Sequence, residues 1–487
     1  MTKNLKKNAL FGLSWTTLEY VVMAGIQVIQ LSVLARILTP KDFGIFAIGT
    51  FFMTLGNTVF AMGMGPALIQ KEGDISDYLD TAWTANLIIS GIATLILLIL
   101  IPFLVPFYFK ESEALYPSLV ILSVVFISGL NNIGLVRYYR KIEMKRLFIY
   151  HALPKLFGAL TAIYFSILLK NFWGLVFGIV TEFLLKLILS YILLPRMPRF
   201  VIQRDKFKEL YNFGGWLQLK NVFKWASNNI DLAIVGTILS TSMLGFYNRA
   251  ITLARLPESQ ISKIINVISF PLYSAIRSDS KKLESAVNAT NNLVLLILAP
   301  ILLITLYGGE GLVNLILGEQ WLYLTTSFQL LISAIATQAY VISFTPLLRA
   351  LGYPKYEFFY QVIRTVLLAI FIYPLTLHYG IVGAGLSILL ATLVAAPYIF
   401  IKLHKIVKLN FLKLTLSFFV SFSCFPIIYI LKYYYYSSDI TNLTFIVESL
   451  VSLLIFLIII FLFSYIFKLG PFESLKKTYE ILKKSNK

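Results

Sequence analysis

Long apolar stretches fill this chain almost from end to end, and each is long enough to cross a lipid bilayer. Thr84–Leu104 and Phe445–Phe467 are two examples, and a transmembrane helix needs about 20 mostly apolar residues. Hydrophobic residues make up 58% of the 487 residues, and charged residues make up 13%. A water-soluble domain cannot bury that much apolar surface. The sequence therefore predicts an all-α polytopic membrane protein.

The apolar stretches divide into about fourteen predicted spans. The spans cover residues 10–38, 43–66, 79–108, 115–136, 147–169, 173–194, 210–239, 243–272, 284–307, 322–348, 356–378, 381–403, 411–432 and 442–467. The connections between them are short, and the longest predicted outer loop is Gly308–Gln320. No connection is long enough for a soluble catalytic domain, so the function must be carried out within or across the membrane.

The basic residues are distributed unevenly between the two sides of the predicted membrane. Of the 42 Lys and Arg residues, roughly 29 fall in alternate connections and the tail, and about 5 fall in the other connections. Because cytoplasmic loops are enriched in Lys and Arg, this bias predicts an even number of spans with both termini in the cytoplasm. The same bias accounts for the formal charge of +19, so we expect a multi-pass protein of the cell membrane and no nucleic-acid partner.

The chain has few of the features that catalytic or metal-binding proteins need. Its one cysteine, Cys424, lies in a predicted span and has no partner for an intrachain disulfide. We find no nucleotide-binding glycine loop, nucleophile elbow or cluster with metal-ligand spacing. The sequence therefore predicts neither an enzyme nor a protein with a metal or other cofactor.

An internal repeat relates the two halves of the chain. A shift of about 201 residues aligns Ile37–Thr39 with Ile238–Ser240, and Gly44 with Gly245. Two halves in the same orientation are typical of transporters with parallel repeats. We expect residues 1–205 to form an N-lobe of spans 1–6 and residues 206–408 to form a C-lobe of spans 7–12. Residues 409–487 then hold spans 13 and 14 and a basic cytoplasmic tail.

Polar residues inside the predicted spans are concentrated in spans 1, 7 and 8, although ionisable groups are costly in the bilayer. In span 7 they recur every three or four residues, which places them on one helix face. These residues are Lys220, Lys224, Asn228 and Asp231. The repeat-related positions of span 1 include Glu19, Gln27 and Gln30. Matching stripes in both halves predict a shared central cavity, in which Glu19 pairs with Lys220.

Cations in the second half give this predicted cavity a positive character. Lys224 and Arg255 fall at similar depth in spans 7 and 8, and two such cations favour an anion such as phosphate. Further candidates for the cavity are Arg249, Lys263 and Lys155. Simpler interpretations stay open for some of these residues. Lys220 can snorkel to the cytoplasmic face, Arg249 can anchor at the outer headgroups, and Asp231 can serve only to neutralise a nearby cation.

Three other charged residues fit local structural roles. Glu182 and Lys186 are four residues apart and are expected to form a pair on one helix. Arg364 lies toward the cytoplasmic end of span 11 and is expected to anchor that span at the interface.

Four segments resemble bacterial polysaccharide flippases, which belong to the multidrug/oligosaccharidyl-lipid/polysaccharide exporter superfamily. They are Ala35–Phe46, Gly65–Gln70, Trp225–Asp231 and Leu244–Ala250. The resemblance is nearest to the colanic-acid and teichuronic-acid exporters, and it covers most of the chain. It implies a V-shaped, two-lobed bundle of fourteen helices. It also implies translocation of undecaprenyl-pyrophosphate-linked oligosaccharide from the inner to the outer leaflet, for O-antigen, lipopolysaccharide or exopolysaccharide synthesis.

The resemblance also implies partners, and it leaves alternatives open. The expected partners are the lipid-linked oligosaccharide, membrane lipids, and the polysaccharide polymerase and assembly proteins. The glycan is open, and so is coupling to a proton or sodium ion. A multidrug or organic-cation antiporter of the same fold is the main alternative, although its cavity would favour carboxylates over lysines. An integral-membrane glycan polymerase is a further alternative, but it would need a larger outer loop.

Overall fold

The computed structural model describes residues 2–194, 196–277, 279–407 and 442–467, and this part of the chain is almost entirely α-helical without any strand. The predicted all-α class is confirmed. Predicted span 13 and Cys424 lie outside the described residues.

Nine α-helices occupy the described residues up to Ile238. They are α1 (Thr2–Ile37), α2 (Pro40–Val59), α3 (Met64–Gln70), α4 (Leu79–Tyr108), α5 (Leu115–Leu130), α6 (Val136–Lys141), α7 (Met144–Leu169), α8 (Trp173–Leu193) and α9 (Arg204–Ile238). The described helices that follow are α10 (Thr241–Ile276), α11 (Ser280–Ile316), α12 (Thr325–Ile342), α13 (Thr345–Ala350), α14 (Pro354–Val407) and α15 (Asn442–Phe467). Short 3₁₀ turns occupy Ser112–Ala114, Ile133–Leu135 and Glu319–Leu324.

Nine segments within the described residues are long and apolar enough to cross a membrane. The last of them, α14, has 54 residues, which as one continuous helix would extend about 80 Å, against a hydrocarbon thickness of about 30 Å. Gly380 interrupts it with φ 59° and ψ −139°, a conformation that glycine adopts readily. This break falls between the predicted spans 356–378 and 381–403. Helices α9 and α10 have 35 and 36 residues. They contain the charged residues of predicted spans 7 and 8, and they are not among these nine segments.

The chain divides into two compact units, Met1–Asn248 and Arg249–Lys487. Within the first unit, α9 packs against α2, α3 and α4. The lobe boundary at residue 205 comes from the sequence repeat and not from this packing, and it stays a prediction.

Two sets of repeat-related residues meet in the first unit, where the N-terminal ends of α2 and α10 cross. A Cβ atom added to Gly44 would lie 1.9 Å from the Thr241 carbonyl oxygen, and one added to Gly245 would lie 1.8 Å from the Pro40 carbonyl oxygen. Any side chain larger than hydrogen would collide at these distances. The shift that aligns Gly44 with Gly245 also aligns Pro40 with Thr241, so the contact is reciprocal. This geometry supports the internal repeat.

Small residues allow α7 and α8 to approach each other closely. Gly158, Ala162 and Ser166 recur every fourth residue on α7, and they face Gly174 and Gly178 on α8. A Cβ atom on Gly178 would lie 2.5 Å from the Ala162 Cβ, and one on Gly174 would lie 2.1 Å from the Ser166 Oγ. Such patterns are typical of close helix pairs in membranes. Glu182 lies one turn after Gly178 on α8, next to these small residues.

The second unit has its own apolar core. Side chains from α10 to α14 and their connections form it, including Tyr273, Phe344, Tyr360 and Ile399. Helix α15 packs on α11, where Phe456 contacts the cluster that contains Ala299 and Leu303. The last described helix is therefore part of the packed fold of this unit.

Candidate functional site

The polar stripe of α9 changes from exposed to buried along the helix. Lys220 and Lys224 are exposed, Asn228 is half-buried, and Asp231 has only 2% of its surface exposed. Within the described part of the chain, neither lysine forms an ion pair. The expected pairing of Lys220 with Glu19 is thus not formed in this structure, and it stays a prediction.

The opposite side of α9 packs on α2, and this packing sets the rotation of the helix. The Trp225 ring lies 5.3 Å from the Phe51 ring, centroid to centroid, and its Nε1 donates a hydrogen bond of 3.2 Å to Thr54 Oγ1. Two turns earlier, Gln218 Nε2 donates to the Val59 carbonyl oxygen at 3.1 Å. Because Trp225 is held against α2, its neighbour Lys224 is turned outward. Trp225 belongs to one of the family-like segments, but nothing in the sequence pattern indicates that it packs on α2.

Asp231 connects α9 to α10 inside the first unit. Its Oδ2 accepts a 2.6 Å hydrogen bond from the Tyr247 hydroxyl, and both side chains are buried. Its Oδ1 is inaccessible to solvent and has no hydrogen-bond partner among the described residues. Asp231 forms no ion pair in the part of the chain that the structure describes. The structure therefore places it in the packed interior, away from the exposed lysines.

The remaining cavity candidates lie on α1 and α10. Glu19, Gln27 and Gln30 are half-buried on α1, which packs against α7. Arg249 and Arg255 are half-buried on α10, and the side chain of Lys263 lies outside the described residues. Lys224 belongs to the first unit and Arg255 to the second, so their joint role in one anion site stays a prediction.

A cluster of three charged side chains lies between α7 and α8. Glu182 Oε1 is 2.7 Å from Lys186 Nζ, as expected from their spacing, and this local pair is confirmed. Glu182 Oε2 is 3.2 Å from Lys155 Nζ, which reaches across from α7. The side chains of Lys155, Glu182 and Lys186 are 24%, 12% and 17% exposed. Sequence spacing identified Lys186 as a partner of Glu182, but only the helix packing identifies Lys155.

A polar contact lies one turn before Lys155 on the same helix. The Tyr139 hydroxyl and His151 Nε2 are 3.1 Å apart, which is hydrogen-bond distance. No group of three or more His, Cys, Asp or Glu residues able to hold a metal occurs within the described residues.

The interpretation of Arg364 as an interfacial anchor is wrong. Only 3% of this residue is exposed, and it lies one turn after Tyr360 in the core of the second unit. A position near the predicted end of a span does not reveal which helix face is packed, and Arg364 is on the packed face. Nearby, Arg349 Nε lies 3.0 Å from Glu357 Oε2.

Comparison with known proteins identifies the family. A model of the family described as polysaccharide biosynthesis proteins matches residues 33–326, which is more than half of the chain. The chain belongs to this family. The match confirms the resemblance inferred from the four sequence segments.

Individual relatives have low sequence identity to this chain, but the matches cover most of its length. The chain is 23% identical over 335 residues to the lipopolysaccharide biosynthesis protein WzxC of Escherichia coli K12, covering 67% of each chain. It is 23% identical over 327 residues to the teichuronic acid biosynthesis protein TuaB of Bacillus subtilis 168, covering 66% of each. The solved lipid II flippase MurJ, in an inward closed conformation, matches with a TM-score of 0.73 at 14% identity, covering 94% of this chain and 99% of that one. This likeness shows a shared polytopic fold.

Proposed function

We propose that this family member is a flippase that moves undecaprenyl-pyrophosphate-linked oligosaccharide from the inner to the outer leaflet for cell-surface polysaccharide synthesis. The observation that carries the proposal is the exposed face of α9, where Lys220 and Lys224 have no ion-pair partner among the described residues. Intramembrane cations of this kind usually face a watery cavity or a substrate path. Membership of the polysaccharide biosynthesis family supports the proposed substrate class.

The negative charge of a pyrophosphate requires a positive partner on its way through the membrane, and the lysines of α9 are positive. A pyrophosphate carries at least one negative charge, and moving it through hydrocarbon without a partner is costly. Lysines that no carboxylate neutralises can supply that partner along the path. Asn228 and the α1 amides Gln27 and Gln30 can donate hydrogen bonds to sugar hydroxyls, while the lipid tail stays in the bilayer.

The full topology belongs to the same proposal. The nine apolar segments, the break at Gly380 and the two charged helices α9 and α10 fit the first twelve spans. Helix α15 fits the last, with both termini in the cytoplasm of a bacterial cell and the protein in its cell membrane. We propose that two lobes alternate in access, and that a polymerase and assembly proteins use the product.

The lysines of α9 favour this function over its rivals. A multidrug or organic-cation antiporter needs anionic or aromatic groups to hold a cation, and an exposed lysine face would repel it. A glycan polymerase needs catalytic groups outside the membrane, and the described outer connections are short. Family membership also favours transport for polysaccharide synthesis over drug export.

Transport by purified protein tests the proposal directly. The wild-type chain is reconstituted in liposomes with undecaprenyl pyrophosphate carrying a labelled sugar, and the label reaching the opposite leaflet is measured over time. We expect Lys224→Ala to slow transport by about tenfold or more, because a hydrogen bond to a charged group contributes roughly 1.5–3 kcal/mol. The matched control is Lys208→Ala, an exposed lysine near the start of the same helix. Wild-type protein that moves no more label than empty liposomes would refute the proposed function.

A further inference from the structure

Three charged groups meet near the middle of α7 and α8, far from either end of both helices. Lys155 lies midway along Met144–Leu169, and Glu182 lies midway along Trp173–Leu193. The two carboxylate oxygens of Glu182 are shared, one facing Lys155 at 3.2 Å and the other facing Lys186 at 2.7 Å. Both helices are long and apolar enough to cross a membrane, so the cluster lies where charge is most costly.

The cluster contains one cation more than is required to neutralise Glu182. One carboxylate and two ammonium groups leave a net charge of +1. Lys186 alone neutralises Glu182, since it is on the same helix at the shorter distance, and it also lies 4.7 Å from the centroid of the Phe183 ring. Lys155 is farther from the carboxylate and is the more exposed of the two lysines. Lys155 is therefore the cation that the local pair can release.

The small residues between α7 and α8 bring Lys155 close to Glu182. A Cβ atom on Gly158 would lie 2.8 Å from the Glu182 Cβ, so any larger residue would push α8 and its carboxylate away from α7. Gly158 is three residues after Lys155 and lies on the neighbouring part of the same helix face. The close approach lets Glu182 hold Lys155 from the adjacent helix. A chain that needed only to neutralise Glu182 would not need Lys155.

We propose that Lys155 is a second contact for the phosphate oxygens of the substrate, and that Glu182 holds it while no substrate is bound. The proposal rests on the proposed function and adds a site in the first unit. On binding, the Lys155 ammonium moves from Glu182 Oε2 to a phosphate oxygen, while Glu182 keeps Lys186. No carboxylate is left unpaired by this exchange. Lysine suits the role because its charge is carried on a flexible stem.

The test compares Lys155→Gln with Lys155→Arg and the wild-type protein in the same liposome assay. We expect Lys155→Gln to keep a wild-type unfolding temperature, because Glu182 retains Lys186, and to slow transport by about tenfold. Inorganic pyrophosphate should raise the unfolding temperature of the wild-type protein and raise that of Lys155→Gln much less. Lys155→Arg keeps the charge. It should retain part of the transport rate and part of the rise in unfolding temperature with pyrophosphate.

A second variant separates this site from a structural role. Glu182→Gln combined with Lys186→Gln removes the local pair and leaves Lys155 as the single charge, so transport should persist. Adding Lys155→Gln to that background should then remove most of the rise in unfolding temperature that pyrophosphate causes. Wild-type transport by Lys155→Gln at equal protein content would overturn the inference while leaving the proposed function standing. Failure of the wild-type protein to transport would instead refute the proposed function.

Discussion

Two pairs of lysines lie within long helices of the first unit, and their surroundings differ. Lys155 and Lys186 share the carboxylate of Glu182 between α7 and α8. Lys220 and Lys224 lie on the exposed face of α9 and have no ion pair in the described part of the chain. The first pair is held by one carboxylate between two packed helices, and the second lies on an exposed helix face.

The difference shows that charge within a span does not by itself indicate a binding site. The carboxylate that two lysines share contributes to the folded state, so its removal affects stability. Exposed lysines without an ion pair contribute little to stability, so under the proposed function we expect their removal to affect transport and not stability. Lys155 lies between these cases because Glu182 has a second partner. Unfolding measurements on variants of these residues and of their surroundings test this comparison.

The largest effect is expected for Glu182→Leu. This change leaves two lysines close together without their carboxylate, and removal of one partner from a buried ion pair costs about 3–5 kcal/mol. The unfolding temperature of the purified protein in detergent should fall sharply. Glu113→Leu is the control, because Glu113 forms an exposed ion pair with Lys41 at 2.8 Å, and such pairs contribute about 0–1 kcal/mol. Equal shifts for both variants would contradict the buried role of Glu182.

A smaller effect is expected for Trp225→Ala on α9. Loss of a packed tryptophan in a core costs about 3–5 kcal/mol, and because Trp225 is only half-buried we expect about half of that. The ring contact with Phe51 and the hydrogen bond to Thr54 are both lost. Trp225→Phe keeps the ring contact and should lose less. Thermal unfolding checks the order, and an equal loss in both variants would show that the hydrogen bond alone matters.

A loss of comparable size is expected for Tyr247→Phe. The substitution removes the hydroxyl that donates to Asp231 Oδ2, and a buried acceptor left without its partner costs about 1–3 kcal/mol. Combining it with Asp231→Leu should recover part of the loss, since no polar group then remains unsatisfied. The double-mutant cycle is measured by thermal unfolding. Strictly additive losses would mean that the two side chains do not interact.

The smallest change in stability is expected for Lys224→Gln. An exposed side chain without an ion pair in the described structure should shift the free energy of unfolding by no more than about 0.5 kcal/mol. The same variant should transport slowly, for the reason given for Lys224→Ala. A large loss of stability would show that Lys224, like Glu182, contributes to the packing of the fold, and it would remove the contrast between the two pairs.

Features that depend on neighbours along the chain could be predicted from the amino-acid sequence alone. Apolar length predicted a polytopic helical protein, and the four-residue spacing predicted the pair of Glu182 and Lys186. The interval between two spans coincides with the break at Gly380. The repeat aligned Gly44 with Gly245, which then meet reciprocal carbonyl groups in the structure. These features follow from the rise and period of a helix, which are the same in every protein.

Which helix faces are packed follows from the contacts between helices and could not be predicted from the sequence pattern. Lys155 finds Glu182 because small residues bring α7 and α8 together. Lys224 is exposed because Trp225 and Gln218 hold the other side of α9 against α2. Arg364 is buried although its position along the span indicated the interface. A polar stripe shows that residues share a face, but contacts between distant helices depend on how closely and at what rotation those helices pack.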